Sequence, residues 1–330
     1  MPKPRILLLL LLTFAIVADR DASDESMLTV VEAFWPNDKS KETLPLQLTC
    51  RGALLSTRFQ SFAELKSVVR IEYFNINPDT SKTPLRKPLV RLTHYHNGQS
   101  VKAVLKSGVS ETDFARAQRG GFWKKAWLGL KNPYAVINRN DLLRVMILSR
   151  RRPNIYREGD MAFYDLALRM VYNINETDRA NSDPKDLTDK GFLNTFNHIT
   201  SQVFMTSIFS ENLADFIADA HERTNMPELI TGNFTEKQIN DLAYGPVDNY
   251  VDVINNEWGQ ELGKQLRDKY KIKRDTYWTT ELMADYLNDI QTYYSRAFQI
   301  GFQPFEPNDI ITRRFTIKLN RVMEDVSGLR

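Results

Sequence analysis

Apolar and polar residues alternate in the first half of the chain, in the two-residue period that places successive side chains on opposite faces of a β-strand. Leu89–His96 (LVRLTHYH) has this pattern and is followed by Asn97-Gly98 and then by Val101–Leu105. The Asn-Gly dipeptide favours the tight turn of a β-hairpin. Three earlier strands are predicted at Met27–Phe34, Leu44–Cys50 and Val68–Ile76.

From Ser110 onward, apolar residues recur every three to four positions, the spacing of an amphipathic helix. Thr235 and Gln238 form a predicted capping box, and Pro246 suits a first helical turn. Asp183-Pro184 likewise predicts an N-cap followed by a first-turn proline. The predicted helices are Glu111–Arg119, Phe122–Leu128, Met161–Tyr172, a helix from Gly245-Pro246 to Tyr270, and one from Thr279 or Thr280 to Phe298.

These patterns predict an α+β protein with a β-rich N-terminal half and a mainly α-helical bundle after it. We expect residues 1–18 to be a signal peptide, 19–150 a β-rich domain with terminal helices, and 151–330 an α-helical domain. The boundary falls in the basic stretch Ser149–Asn154, which is interpreted as a solvated turn.

The first residues have the pattern of a secretory leader. Lys3 and Arg5 precede Ile6–Ala18, thirteen residues without a charge, which is too short to cross roughly 30 Å of hydrocarbon as a helix. Cleavage is expected after Ala18, and an uncleaved membrane anchor is the alternative. No later segment is predicted to span a membrane, so the sequence predicts a secreted protein.

Charge and cysteine content narrow the function classes. The chain has 44 basic and 41 acidic residues, so removing Lys3 and Arg5 leaves 42 against 41. Near-neutrality argues against bulk nucleic-acid binding, which usually requires a clustered basic excess. Cys50 is the only cysteine, which excludes an intrachain disulfide; its thiol is then either buried or paired with another chain.

Asn175 and Asn233 begin triplets that would be glycosylation sites if the source is a eukaryote.

The segment ADAHE, Ala218–Glu222, carries one of only four histidines near the end of a predicted helix capped by Ser210. His221 lies four residues after Ile217 and is predicted to face inward. Asp219 is roughly 200° from His221 around a helix, so ADAHE alone is not a metal motif. Ala214 and Ala218 leave room beside the histidine, whereas Asp215, Asp219 and Glu222 are expected to form a separate acidic face.

The neighbouring helices supply further polar residues. Phe192, Phe196, Ile199 and Val203 form an apolar stripe with His198 on its flank. The helix from Pro246 carries Gly259 and Gly263 one turn apart, each costing about 1 kcal/mol of helix stability, and close helix packing is the expected compensation. Such packing would bring together five candidate catalytic residues: His198, His221, Asp252, Asn255 and Asn256.

A histidine in one helix, DAHE at 219–222 and Asp-x-x-Asn-Asn-x-x-Gly at 252–259 resemble an uncharacterised helical domain of secreted and toxin-like bacterial proteins. The resemblance covers about residues 190–270 and implies no activity. In that family an arginine precedes the first histidine and an aromatic residue follows it. Here Asn197 precedes His198, and Ser201 and Gln202 occupy the next turn.

Two interpretations of this cluster are open. As a site, an imidazole oriented by Asp252 would act as general base, while the second histidine and an asparagine would bind an anion or a metal. As a structural element, the same residues would form a buried, fully hydrogen-bonded network that fixes three helices. The sequence leaves the identity of any cofactor undetermined.

Two other groups have less specific patterns. His94 and His96 lie on one face of a strand, where no third metal ligand is near in sequence, and an exposed face is predicted. Trp123, Lys124, Lys125 and Trp127 suit a membrane or glycan contact, although inward packing of the tryptophans with the lysines in water is the more common arrangement.

Together these observations favour a secreted, non-catalytic extracellular protein, such as a matrix or structural component with matrix or glycan contacts. The first alternative is a hydrolase using His198, His221 and Asp252. The second is a secreted effector, which rests on the family resemblance alone.

Overall fold

The computed structural model describes residues 52–75 and 87–324. Its strands, β1 (Val69–Phe74), β2 (Leu89–His96) and β3 (Gln99–Lys106), form an antiparallel sheet in the order β1-β2-β3. Asn97 and Gly98 have φ values of 47° and 77° and join β2 to β3, as their sequence predicts. The predicted leader, Met27–Phe34 and Leu44–Cys50 lie outside the described residues.

Most of the remaining described chain is helical. The helices, in chain order, are α1 (Phe62–Val68), α2 (Glu111–Gln118), α3 (Phe122–Lys131), α4 (Pro133–Ile137), α5 (Arg139–Leu148), α6 (Pro153–Tyr156), α7 (Phe163–Tyr172), α8 (Glu176–Asn181), α9 (Asn194–Ile208), α10 (Glu211–Glu222), α11 (Glu228–Thr231), α12 (Glu236–Asn240), α13 (Pro246–Tyr270), α14 (Thr280–Phe298) and α15 (Ile310–Glu324). A small antiparallel sheet with many helices confirms the α+β class.

Local side-chain chemistry explains where several helices begin. The predicted capping box of Thr235 and Gln238 opens α12, Pro246 occupies the first turn of α13, and the Thr279 side chain caps α14. The prediction that Asp183-Pro184 starts a helix is wrong, because residues 184–187 form turns. The chain then folds back on itself, so that the Phe192 amide donates to the Asp186 carbonyl at 2.7 Å.

The central contact of the bundle is the crossing of α9 and α13. A Cβ atom on Gly259 would lie 2.8 Å from the Gln202 Cβ, and one on Gly263 would lie 2.8 Å from the Val203 carbonyl oxygen. The two helices therefore approach too closely for any larger residue at either position. This confirms the expectation that close packing compensates for two glycines inside one helix.

The sheet is attached to α13 through His94. The Trp258 indole donates to His94 Nδ1 at 2.9 Å, and His94 is only 2% exposed. Burial lowers the pKa of His94 to about 4, so the ring is neutral and accepts this hydrogen bond. The prediction of an exposed strand face at His94 and His96 is therefore wrong for His94, because α13 covers that end of the sheet.

The basic connector is bound to the helical bundle. Arg151 forms an ion pair with the buried Asp165, and the Arg150 carbonyl accepts a hydrogen bond from Lys318 Nζ at 2.7 Å. The stretch is anchored at these two points, yet none of residues 149–154 is buried, and Ser149, Pro153 and Asn154 are exposed, as predicted for a solvated turn. One continuous hydrophobic core contains residues from both predicted domains, from Leu55 to Val322.

Two further observations concern the helices: which tryptophans of α3 are exposed, and whether any helix could cross a membrane. Trp123 and Trp127 on α3 are 82% and 62% exposed, so the prediction that these tryptophans pack inward is wrong. Within residues 52–75 and 87–324, no helix combines the length and the apolar character needed to cross a bilayer.

Candidate functional site

His198 lies at the centre of the predicted cluster, on the face of α9 that meets α13. Its side chain is 13% exposed. Its Nδ1 is 3.0 Å from Asn256 Oδ1, and its Nε2 is 3.4 Å from Asp252 Oδ2. Both partners project from α13 one turn apart, so α13 fixes the imidazole from both ring nitrogens.

The end of α10 brings His221 and Glu222 to the same place. The His198 and His221 ring centroids are 6.0 Å apart, and Glu222 Oε1 is 3.7 Å from His198 Nδ1. The buried Ala214 and Ala218 lie between His221 and Glu222 around the helix, and these small residues leave space that both longer side chains enter. Glu222 belongs to the cluster, so its assignment to a separate acidic face is wrong.

Asn255 is the candidate that the structure places elsewhere. Its side chain is fully buried and forms two hydrogen bonds with the backbone of Leu54, accepting from the amide and donating to the carbonyl, both at 2.9 Å. Asn255 is rotated by about 100° from Asn256 around α13 and therefore points toward the N-terminal segment. Four of the five candidate residues thus lie together: His198, His221, Asp252 and Asn256.

Several contacts to the cluster come from residues that the sequence interpretation did not include. Glu111 Oε2, from α2, lies 3.3 Å from His221 Nδ1. The Asn194 side chain donates to Asp252 Oδ1 at 2.8 Å, and Lys190 pairs with Asp248, one turn before Asp252, at 2.7 Å. Asn194 and Asp248 could have been predicted from the sequence. Asn194 lies four residues before His198 and Asp248 four residues before Asp252, so each shares a helix face with a predicted site residue. Glu111 could not have been predicted in this way.

Burial and charge set the protonation of the cluster. Burial raises the pKa of Asp252 to about 8, with a contribution from the Asp248 charge, and burial raises the pKa of Glu222 to about 7. The hydrogen bond to Glu111 raises the pKa of His221 to about 9, whereas burial lowers the pKa of His198. Near neutral pH, His221 is charged, His198 is neutral and Asp252 retains its proton.

This protonation pattern fits the hydrogen bonds. The Asn256 amide nitrogen donates to Glu222 Oε1 at 3.3 Å, which leaves Asn256 Oδ1 to accept from His198 Nδ1–H. His198 Nε2 is then unprotonated and lies 3.4 Å from the protonated carboxyl of Asp252. The cluster is a connected network with an exposed edge at His221, whose side chain is 38% exposed.

His198, His221 and Glu222 also have the spacing of a metal site. One ligand atom from each residue lies within 4.8 Å of the other two. Two imidazoles and one carboxylate are a ligand set that zinc accepts, and three protein ligands leave room for water or another group. The arrangement can therefore hold a divalent cation between α9 and α10.

Comparisons with protein-family models, with curated proteins and with solved structures found no match.

Proposed function

We propose that the His198–His221 cluster binds a divalent transition-metal ion of the zinc class, and that the protein is a secreted, non-catalytic extracellular component. The observation that carries the metal site is the convergence of ligand atoms from His198, His221 and Glu222 within 4.8 Å. The leader-like pattern of Lys3, Arg5 and Ile6–Ala18 supports export. In this proposal residues 19–150 form the β-rich half.

Metal binding requires the cluster to exchange protons for the ion. His221 and Glu222 must release protons, because a metal ligand uses the lone pair that the proton occupies. Asn256 and Asp252 contact both nitrogens of His198, so one of them must also move away. These costs predict an affinity weaker than that of a preformed zinc site, and an affinity that rises with pH.

A structural role for the ion follows from its position. The three ligands come from α9 and α10, and Asn256 connects two of them to α13 through hydrogen bonds. An ion at this point would hold the three helices together, as the hydrogen-bonded network does without it. This supports a stabilising role in an extracellular matrix or structural protein.

Zinc titration of the purified mature chain tests the metal site. We expect one equivalent of zinc at pH 7.5 by isothermal titration calorimetry, and a higher melting temperature with zinc. His221→Ala should weaken binding at least tenfold, while His96→Ala, outside the cluster, should leave it unchanged. Absence of zinc binding up to about 100 µM, or equal binding by both variants, would refute the site.

A hydrolase is the second candidate, favoured by the contact between Asp252 and His198 Nε2 at 3.4 Å beside the exposed edge at His221. A histidine oriented by a carboxyl group can act as general base on water. Ester, peptide and phosphodiester substrates incubated with the zinc-loaded protein would test this role. We expect no turnover above that of Asp252→Asn. Turnover that Asp252→Asn abolishes would replace the structural proposal.

The effector alternative depends on the resemblance of residues 190–270 alone.

Export of the protein has a test of its own. Mass analysis of the secreted chain should find Asp19 at its N-terminus. Retention of Met1 in a membrane fraction would contradict release.

A further inference from the structure

Helix α3 presents a row of large apolar side chains to solvent. Trp123, Trp127 and Leu130 are 82%, 62% and 79% exposed, at the i, i+4 and i+7 positions of one helix face. Ile137, on the adjacent α4, is 79% exposed. We call Trp123, Trp127, Leu130 and Ile137 the α3 surface.

Exposure of these tryptophans contrasts with the rest of the fold. Trp258 and Trp278 are each 1% exposed and pack in the core. Leu128, on the opposite side of α3, is buried and attaches the helix to the protein. Contiguous exposed aromatic surface is unfavourable in water and typically marks a contact with a membrane or another molecule.

Positive charge surrounds this apolar row. Residues 114–140 contain six basic residues and no acidic one, whereas the whole chain is nearly balanced at 44 basic and 41 acidic residues. The six are Arg116, Arg119, Lys124, Lys125, Lys131 and Arg139. Lys124 and Lys131 flank the row, and Lys131 Nζ lies 5.1 Å from the Trp127 ring centroid. The surface therefore complements a partner that is apolar at its centre and anionic around it.

A groove beside α3 extends the same chemistry. It has a volume of about 570 Å³ and is lined by Lys87, Arg116, Lys124, Trp127 and Lys131 among others. Asp113 also lines it and pairs with Arg116 at 3.1 Å. Three lysines around an indole suit an anionic headgroup next to an acyl chain.

We propose that the α3 surface docks on an anionic lipid bilayer, with Trp123, Trp127 and Leu130 inserted at the boundary between headgroups and acyl chains. Tryptophan is enriched at this boundary, and a helix with an apolar row and flanking lysines lies in the plane of the interface. The lysine stems follow the apolar row while their ammonium groups reach the anionic headgroups. This inference is independent of the metal site.

Vesicle co-sedimentation of the full mature chain tests the proposal. The probes are phosphatidylcholine vesicles with about 30% phosphatidylserine and vesicles of phosphatidylcholine alone. We expect binding to the anionic vesicles that is at least tenfold stronger than to the neutral ones and that falls as salt rises.

Matched variants separate the two parts of the surface. Trp123→Ser with Trp127→Ser should lower binding to anionic vesicles at least tenfold, and Lys124→Glu with Lys131→Glu should remove the preference for anionic lipid. Tyr277→Ser, which changes a 70% exposed aromatic residue elsewhere, should have no effect.

Three results would overturn the proposal: no vesicle binding, equal binding to both vesicle types, or unchanged binding by the tryptophan variant. Self-association that the tryptophan variant abolishes, in a chain that ignores vesicles, would instead assign the surface to a second copy of the protein. Unchanged melting temperatures of the variants would show that lost binding is not lost folding.

Discussion

Replacing Asn255 by alanine tests whether this residue attaches the N-terminal described segment to the bundle. Asn255 is fully buried, and its amide forms two hydrogen bonds with the backbone of Leu54, 201 positions earlier. Thr195 Oγ1 also donates to the Leu54 carbonyl, at 3.0 Å. In Asn255→Ala the carbonyl keeps one donor, whereas the Leu54 amide loses its acceptor.

The expected cost follows from this difference. A neutral hydrogen bond contributes about 1 kcal/mol net, and a buried donor left without a partner costs about 1–3 kcal/mol. We therefore expect Asn255→Ala to lower the free energy of unfolding by about 2–4 kcal/mol. Thr195→Val removes one of two donors to the same carbonyl and should cost only about 1 kcal/mol.

Combining the two substitutions gives the sharper test. The double variant leaves the Leu54 carbonyl without either donor, so its cost should exceed the sum of the single costs by about 1 kcal/mol. Urea unfolding followed by circular dichroism measures all three values, and zinc titration should be unchanged in Asn255→Ala. A cost below about 0.5 kcal/mol for Asn255→Ala would refute the role assigned to this side chain.

Three further predictions follow from buried groups and close contacts. Burial raises the pKa of Glu228 to about 7, whereas the same group in the unfolded chain has a pKa of about 4.5. Between these two values the folded chain therefore holds a proton that the unfolded chain has released. The free energy of unfolding should fall as the pH rises from about 4.5 to 7, by up to about 1.4 kcal/mol per pH unit. Glu228→Gln should flatten that dependence in melts at pH 5, 6 and 7, and an unchanged slope would contradict it. Gly263→Ala should destabilise the chain by about 1–3 kcal/mol in urea unfolding despite better helix propensity, and a neutral effect would show that α9 can move away. In secreted material from a glycosylating host, peptide mass spectrometry should find glycan on the exposed Asn233 and little on Asn175, which packs against Gly301; the reverse occupancy would contradict this.

Local patterns predicted the elements whose ends are set by local chemistry. Asn97-Gly98 determined the hairpin, and Pro246 with the following periodicity gave the bounds of α13. The turn after Asp183 was not predictable, because it depends on Phe192 bonding back to Asp186. A turn closed by a contact six residues later leaves no periodic signal.

Side-chain exposure was harder to predict than secondary structure. The sequence around His94 is that of an exposed strand residue. Its burial depends on Trp258, which lies 164 residues later and packs against it in the fold. Trp123 and Trp127 have the periodicity of a buried stripe, yet the fold directs Leu128 inward instead. Periodicity identifies a helix face but not what lies against it.

The candidate site was predicted where helix geometry alone brings residues together. Asp252 and Asn256, one turn apart, both contact His198, as their spacing indicates. Asn255 was grouped with them by adjacency, and its partner Leu54 could not be inferred from sequence. Glu222 was assigned to the wrong face, because the sequence does not reveal that two alanines give it access to the cluster.

The buried ammonium of Lys318 imposes an order on the folding of the chain as it is synthesised. It is 1% exposed and holds Asp160, the Arg150 carbonyl and the Met161 carbonyl, at 2.7–2.8 Å. A nascent chain on the ribosome presents Asp160 long before Lys318 emerges, 158 residues later. Until then the Asp160 carboxylate cannot be buried without its counter-ion, so the junction between the halves stays hydrated. Chains that end before α15 would expose this junction to proteases, and completion of α15 would close it.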